Sequence, residues 1–357
     1  MKKEELAEYN IGLNLDHLMT LDPRGYGVCR ILYDAARKRA GEPVAMHAAK
    51  ALNRLLARAP GEPVYILTGF VLRPHLCPET DGIVGAMMLS RALELAYGVK
   101  PVVVCSRKNL PAVQNIAPLL GMHLYADLDT MKALPYSMGV VPFPEDREEA
   151  KRMAAELLAA APPAAVIATE APGANAKGEY HNAAGDNITE LEAKMDELFT
   201  AAGEKGTTTF AVGDLGNEIG MSAIRDTLLS YVPYTGEGEC SCPCGGGILA
   251  ATSADYLLTG TCSDWAVYAL IAATAWLVRD IRVMHDFSME ERVLREACRS
   301  GMVDMSGSLL PGIDGFDVTM DASVAELMRQ CTDYALQYEN EQWFTKTLEK
   351  QYFQEAR

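Results

Sequence analysis

Short apolar strands alternate with helical stretches through the middle of this 357-residue chain. Apolar residues recur at helical spacing at 82–96, 112–120 and 145–160 between the strands, and at 265–278 after the last strand. Alternation of this kind is typical of a mostly parallel, doubly wound α/β sheet covered by helices on both faces, which makes three layers. The six predicted strands lie at residues 64–68, 102–105, 138–141, 164–168, 207–212 and 256–259.

Helical segments flank this α/β core. Residues 1–60 are predicted to be helical, residues 61–280 form the core, and residues 281–357 are largely helical. Three helix starts are suggested by capping boxes at Thr189-x-x-Glu192, Ser288-x-x-Glu291 and Ser323-x-x-Glu326. Because neither an internal repeat nor a linker is evident, we expect one α/β domain over residues 1–357 with helical additions at both ends.

The charge balance limits the partners of the chain. A formal net charge of −16 argues against a nucleic acid or an anionic membrane, since both would be repelled. The first residues lack the apolar stretch of a secretory signal, and the longest apolar run, residues 266–278, is too short to span a bilayer. We therefore expect a cytoplasmic protein with a small-molecule partner, and the helical ends offer surfaces for a homo-oligomer.

Three of the nine cysteines fall in one short loop, Cys240-Ser241-Cys242-Pro243-Cys244. This alternate spacing differs from the CxxC knuckles of zinc sites, and no histidine lies nearby in the sequence. We expect free thiols in a loop rich in Gly and Pro rather than a metal or redox site. His181, in a separate polar loop, is expected to be a solvated loop histidine.

Polar and acidic residues follow four of the predicted strands. Because the carboxyl ends of parallel strands lie at the same edge of a sheet, these residues are expected to meet in one crevice. Local structural roles are the alternative: helix capping for Thr80, Asp81, Ser263 and Asp264, and turn formation for Asp214 and Asn217. The groups are Glu79-Thr80-Asp81-Gly82 after the first strand, Glu170 and Asn182 after the fourth, Asp214, Asn217 and Glu218 after the fifth, and Ser263-Asp264 after the sixth.

The glycines of these loops do not form a phosphate-binding motif. Gly213-x-x-Gly216 followed by Glu218 has neither GxGxxG spacing nor the Lys-Ser/Thr of a P-loop. A nucleotide cofactor is therefore not expected.

Several of these blocks carry a family resemblance. Thr68-Gly69-Phe70, Glu79-Thr80-Asp81-Gly82-x-x-Gly85-Ala86 and Gly213-Asp214-x-Gly216-Asn217-Glu218-Ile219-Gly220-Met221 occur in this order. With them the chain resembles the D-glutamate cyclase family, from about residues 21–25 to residues 312–315. The resemblance implies a lyase that converts D-glutamate to 5-oxo-D-proline with loss of water. Two positions depart from the family pattern: Asp264 stands where Asn is usual, and Ala171 stands where Arg is usual, which removes a candidate carboxylate anchor.

The resemblance assigns roles to the converging residues. Asp214 and Glu218 are predicted as the acid/base pair, and Glu79 and Asp81 as ligands of the substrate ammonium or of a metal. A Mg²⁺-like ion held by oxygen atoms of Glu79, Asp81, Asp214 and Glu218 is an alternative to proton transfer alone. A metal-dependent hydrolase acting on an amide or lactam, or a non-catalytic amino-acid-binding protein, would use the same residues. The residues predicted to line the substrate site are Thr80, Gly82, Glu170, Asn182, Asn217, Ser263 and Asp264.

Overall fold

The computed structural model describes residues 3–338 and residue 346. Its helices are α1 (Lys3–Met19), α2 (Val28–Ala40), α3 (Val44–Leu56), α4 (Ile83–Tyr97), α5 (Leu110–Ile116), α6 (Leu128–Ala133), α7 (Arg147–Ala160), α8 (Met195–Glu204), α9 (Arg225–Tyr231), α10 (Ser263–Val278), α11 (Phe287–Arg299) and α12 (Val318–Tyr338). Its strands are β1 (Pro63–Thr68), β2 (Val71–Leu72), β3 (Cys77–Pro78), β4 (Lys100–Cys105), β5 (His123–Tyr125), β6 (Ser137–Pro142), β7 (Ala165–Thr169), β8 (Thr209–Gly213), β9 (Tyr256–Thr259), β10 (Gly312–Ile313) and β11 (Phe316–Asp317).

Within these residues, seven strands form one parallel sheet in the order β5-β6-β4-β1-β7-β8-β9. Strand β1 lies between β4 and β7, with Ile66 opposite Val103 and Ile167. The chain first builds outward from β1 through β4 and then returns to add β7 on the other side. The strand order therefore reverses at β1, and the crevice outside the carboxyl ends of β1 and β7 is where such a sheet binds ligands.

The sheet is buried on both faces. Alternation along β1 sends Val64 and Ile66 into the larger apolar core and Tyr65 and Leu67 into the smaller one. Helix α10 lies inside the larger core, and all its residues from Ser263 to Trp276 are buried. None of the helices in the described part of the chain has the length and apolar character to cross a membrane.

The predicted α/β sheet is confirmed, and each of the six predicted strands overlaps a strand of the sheet. Strand β5 was missed because it is three residues long, with His123 exposed and its other two residues half-buried at the sheet edge. Helices α1–α3, α11 and α12 confirm the helical additions as far as residue 338. The helical prediction for residues 339–345 and 347–357 lies outside the described residues.

The capping box predicted at Thr189 is wrong. Helix α8 begins at Met195, while the Thr189 hydroxyl accepts a hydrogen bond from the Tyr180 N–H at 2.9 Å. Glu192 instead accepts the Val71 N–H at 2.9 Å and so connects the segment before α8 to strand β2. Glu192, which the local pattern assigned to a helix start, is instead engaged in a long-range hydrogen bond.

The other two capping boxes are also misplaced. Helix α11 is capped by Asp286, whose carboxylate accepts the Met289 N–H at 2.8 Å, two residues before the predicted cap at Ser288. Ser323 lies inside α12, which begins at Val318. Both helices exist, but each starts earlier than its capping motif indicated.

Candidate active site

A cavity of about 340 Å³ opens at the carboxyl ends of β1, β7 and β8. Glu170 directly follows β7 and Asp214 directly follows β8, so the sheet itself delivers both acids to this edge. Both line the cavity, together with three further residues of the predicted site: Glu79, Asn182 and Asn217.

Glu170 is held in an uncommon backbone conformation. Its φ of +42° lies in the left-handed region, which is rare for a residue with a side chain and is characteristic of functional sites. The Ser263 hydroxyl donates to its Oε2 at 2.6 Å. The adjacent turn requires Gly82, at φ +82°, because a Cβ there would lie 2.4 Å from the Glu170 Cβ. Burial, and then the charges of Glu218 and Asp81, raises the pKa of Glu170 well above its usual range.

Asp214 is in a similar electrostatic environment. It is 8% exposed, and burial followed by repulsion from Glu170 and Asp314 raises the pKa of its carboxyl well above the usual range. Because the charge of Glu170 adds to the raised pKa of Asp214, ionisation of both acids at once is disfavoured.

Glu79 and Asp81 extend the acidic cluster. Glu79 lines the cavity, and burial together with Asp314 and Asp81 raises its pKa well above the usual range. Asp81 is 2% exposed and lies behind the cavity wall. Burial, with a contribution from Asp314, raises the pKa of Asp81 to about 7, against the lowering effect of three backbone N–H donors.

Asp264, predicted as a substrate-binding residue, does not line the cavity. It is fully buried, its Oδ1 accepts the Gly82 N–H at 2.9 Å, and its Oδ2 has no hydrogen-bond partner within the described residues. Burial and the neighbouring Asp81 raise the pKa of Asp264 well above its usual range, which favours the neutral acid. A neutral aspartic acid has the shape and charge of the Asn that is usual in the family pattern.

Glu218 also lies away from the cavity lining and is fully buried. Its Oε1 accepts the N–H groups of Asp214 and Leu215, both at 2.8 Å, and its Oε2 accepts that of Gly216 at 2.5 Å. Three backbone donors therefore occupy the carboxylate that the sequence assigned to proton transfer. Its position is that of a residue that holds the Asp214 loop in place.

The remaining predicted residues support the site from behind or from the rim. Thr80, whose hydroxyl donates to the Gly312 carbonyl at 2.7 Å, and Ser263 are both fully buried. At the rim, Asn182 accepts the N–H groups of its own loop through Oδ1, and Asn217 donates to the His181 carbonyl at 3.0 Å. Ala171 packs in the smaller core and does not line the cavity.

Arg24 and Asp314 line the cavity but were not predicted as site residues. They form an ion pair, and the Arg24 guanidinium lies 4.7 Å from the centre of the Phe316 ring. The buried Nε of Arg24 has no hydrogen-bond partner among the described residues. Arg24 and Asp314 lie in the first and last segments of the family resemblance, residues 21–25 and 312–315. Their position in those segments was the sequence signal that could have marked them as site residues.

Three acids of the cluster meet the requirements of a metal site. Asp81, Glu170 and Asp214 can each offer one carboxylate oxygen, and these oxygens all lie within 4.8 Å of one another. This set differs from the predicted one: Glu170 is added, and within the described residues neither Glu79 nor Glu218 belongs to the group. Such oxygen ligands suit a hard divalent cation.

Together, the fold and the cavity define a doubly wound α/β protein with a buried acidic ligand site at the point where the strand order reverses. The chain belongs to the D-glutamate cyclase-like family, whose C-terminal family model matches residues 15–329. A curated relative, the mitochondrial D-glutamate cyclase of Homo sapiens, is 29% identical over 133 residues, which are 37% of this chain and 19% of that protein. The match thus spans about a fifth of the length of the human protein.

Proposed function

We propose that this protein is a lyase that cyclises D-glutamate to 5-oxo-D-proline with loss of water. The observation that carries the proposal is the cavity lined by Glu170 and Asp214, both with raised pKa, together with Arg24. Membership of the D-glutamate cyclase-like family supports the choice of substrate.

The reaction requires two proton transfers. A bond forms between the α-nitrogen and the γ-carbon, and one C–O bond of the γ-carboxylate breaks. The ammonium gives up two protons, and the departing oxygen takes both and leaves as water. The site must therefore contain one group that accepts protons from nitrogen and one that donates protons to oxygen.

Glu170 and Asp214 fit these two roles as a pair. Burial raises the pKa of both carboxyls, and the charge of Glu170 adds to the shift at Asp214, so ionisation of both acids at once is disfavoured. In the proposed mechanism one of them acts as the neutral acid and the other as the carboxylate. The carboxylate takes one proton from the ammonium, and the neutral acid gives one to the γ-carboxylate oxygen. After nitrogen attacks the γ-carbon, the pair, with its proton now on the other member, takes the second proton from nitrogen and gives one to the departing hydroxyl, which leaves as water. We therefore assign Glu170, in place of Glu218, as the partner of Asp214.

Charged groups on the cavity wall orient the substrate. Arg24 can pair with a substrate carboxylate through its planar donor fork, in exchange for part of its contact with Asp314. Glu79 lies on the same wall, where its ionised form can hold the ammonium. Holding both ends fixes the folded conformer that brings nitrogen to the γ-carbon, and such orientation supplies a large part of a cyclisation rate.

The Asp81, Glu170 and Asp214 group favours a second candidate, a metal-dependent hydrolase that opens an amide or lactam of an amino-dicarboxylate. A divalent cation held there would polarise a carbonyl or carboxylate oxygen. A third alternative, a non-catalytic amino-acid-binding protein, needs the cavity alone. The proposal also retains a cytoplasmic location, a small-molecule partner, no nucleic-acid or membrane partner and self-association through the helical ends, each resting on the sequence.

Incubation with D-glutamate and L-glutamate in separate reactions, followed by chiral separation of 5-oxoproline, tests the proposal. We expect 5-oxo-D-proline from D-glutamate. Chelator-sensitive hydrolysis of an amide or lactam without cyclisation would favour the hydrolase. Saturable binding of D-glutamate without any product would favour the binding protein.

A further inference from the structure

Three cysteines and one histidine from two distant parts of the chain meet outside the cavity. Cys240, Cys242 and Cys244 lie in the segment between α9 and β9, and His181 lies in the loop after β7. His181 is 1% exposed, so the expectation of a solvated loop histidine is wrong. Its ring is the nitrogen partner that the sequence spacing did not reveal.

The spacing of the four ligand atoms is that of a tetrahedral zinc site. The three Sγ–Sγ distances are 3.6, 3.8 and 3.2 Å, and the His181 Nε2 lies 3.2 Å from Cys242 Sγ and 3.7 Å from Cys244 Sγ. Tetrahedral zinc with Zn–S of about 2.3 Å and Zn–N of about 2.05 Å separates sulfurs by about 3.8 Å and sulfur from nitrogen by about 3.5 Å. The sulfurs are too far apart for disulfides, which need about 2.05 Å.

Polar donors surround the sulfur atoms. The Gly246 N–H points to Cys244 Sγ at 3.3 Å. The side-chain amides of Asn175 and Asn187 lie 3.7 Å from Cys244 Sγ and Cys242 Sγ. Such donors stabilise thiolates and orient metal ligands. Three such donors around neutral thiols in an apolar pocket would have no charge to stabilise.

We propose that Cys240, Cys242, Cys244 and His181 bind one Zn²⁺ ion in a closed, structural site. Three sulfurs and one nitrogen fill a tetrahedral shell and leave no position for a reacting water. Zinc binding releases the three thiol protons to solvent, because only thiolates are ligands. Thiolate-rich sets also select zinc over Mg²⁺ and Ca²⁺, which prefer oxygen.

The zinc would join the cysteine segment to the loop that contains Asn182, and that loop lines the cavity. The His181 carbonyl accepts the Asn217 amide at 3.0 Å, and Asn182, the next residue, lines the cavity. On the other side, the Ser241 N–H donates to the Gly185 carbonyl at 3.0 Å. The ion would thus hold the cysteine segment against this loop and fix the position of Asn182.

Metal analysis of the full chain tests the proposal without any measurement of activity. The protein is purified under reducing conditions without chelator, its zinc is measured per chain, and the metal-free form is titrated with Co²⁺. Cys242→Ser and His181→Ala remove ligands. Cys331→Ser removes a free, partly buried thiol from α12 and is the matched control.

We expect one zinc per chain in the wild type and in Cys331→Ser, and substoichiometric zinc in both ligand variants. Co²⁺ in the wild type should give sulfur-to-cobalt charge transfer in the near ultraviolet and the strong visible bands of tetrahedral cobalt. Cobalt at the Asp81 group has oxygen ligands and gives no charge transfer, so the two sites are distinguishable. The proposal is overturned if the wild type binds no zinc after reconstitution, if its cobalt spectrum lacks charge transfer, or if Cys242→Ser retains full zinc. The wild-type spectrum decides the matter even where a ligand variant fails to fold.

Discussion

Asp81 accepts a backbone hydrogen bond at the start of α10, and Asp264 accepts one at the start of α4. Asp81 Oδ1 accepts the Asp264 N–H of α10 at 2.9 Å, and Asp264 Oδ1 accepts the Gly82 N–H at the start of α4, also at 2.9 Å. The two helix N-termini, with their partial positive charge, therefore face one another behind the acidic cavity. These reciprocal hydrogen bonds give Asp81 and Asp264 a structural role, because each carboxyl group helps to hold the start of a helix in place.

Replacement of Asp264 by Asn should preserve activity and increase stability at high pH. The raised pKa of Asp264 means that its stabilising contribution is complete below about pH 4, where the unfolded acid is also protonated, and is lost as pH rises toward the folded pKa. Asn does not titrate, so the gain in unfolding free energy should be larger at pH 8 than at pH 5. Urea unfolding at both pH values measures the difference, and an equal change at both would contradict the raised pKa of Asp264.

Replacement of Asp214 by Asn should abolish turnover while the protein remains folded. The amide cannot exchange the proton that the Glu170–Asp214 pair is proposed to transfer, and removal of one of two repelling acids leaves the unfolding free energy unchanged or higher. Asp226→Asn, an exposed acid of α9, is the control and should retain full activity. Activity near the wild-type rate in Asp214→Asn would remove this residue from the mechanism.

Glu218→Gln should destabilise the protein. An amide has one acceptor oxygen, so at least one of the three N–H groups now bound by Glu218 would face an NH₂ group. The loss is expected to be about 1–3 kcal/mol of unfolding free energy. Chemical unfolding measures it against Glu204→Gln, an exposed residue of α8. If Glu218→Gln kept full stability but lost turnover, Glu218 would be a proton-transfer group after all.

Two glycine-to-alanine changes should have opposite effects on stability. A Cβ at Gly85 would lie 2.3 Å from Asp264 Oδ1 and would separate α4 from α10, at a cost of about 1–3 kcal/mol. A Cβ at Gly203 of α8 would make an ordinary contact of 3.6 Å with Thr209, so the change should add up to about 1 kcal/mol through helix propensity. Thermal unfolding of both variants checks the pair, and a neutral Gly85→Ala would contradict the close approach of the two helices.

Arg24→Gln should raise the KM for D-glutamate with a smaller effect on kcat. Loss of a charge-assisted, bidentate contact is worth about 1.5–3 kcal/mol, or roughly a 10- to 150-fold rise in KM. Arg295→Gln removes an exposed arginine paired with Glu291 on α11 and should leave KM unchanged. An unchanged KM in Arg24→Gln would move the carboxylate anchor to another residue.

Local patterns predicted most of the fold. The buried β-branched strands were recognisable because their hydrophobic period and composition can be seen in the sequence alone. Strand β5 was not predicted, because its three residues, one exposed and two half-buried, are too few to show a periodic pattern. The capping box at Thr189 failed because Glu192 is bound to Val71, 121 residues away. Tertiary contacts of this kind override local propensity.

The candidate site was predictable in outline and not in its division of roles. The topology brings Glu79, Glu170 and Asp214 to one cavity, as the strand ends indicated. Arg24 could not be placed, because its partner Asp314 is 290 residues away. Backbone N–H groups donate to the carboxyl groups of Glu218 and Asp264 and so give them structural roles. The spacing of residues in the sequence does not show which acids receive such hydrogen bonds.

Chiral measurement of 5-oxoproline formed by the wild-type protein from D-glutamate tests the central claim most directly. The account predicts 5-oxo-D-proline with release of one water per substrate, and loss of that product in Asp214→Asn at unchanged folding. Absence of 5-oxoproline from both enantiomers, with the protein folded and supplied with divalent cation, would contradict it.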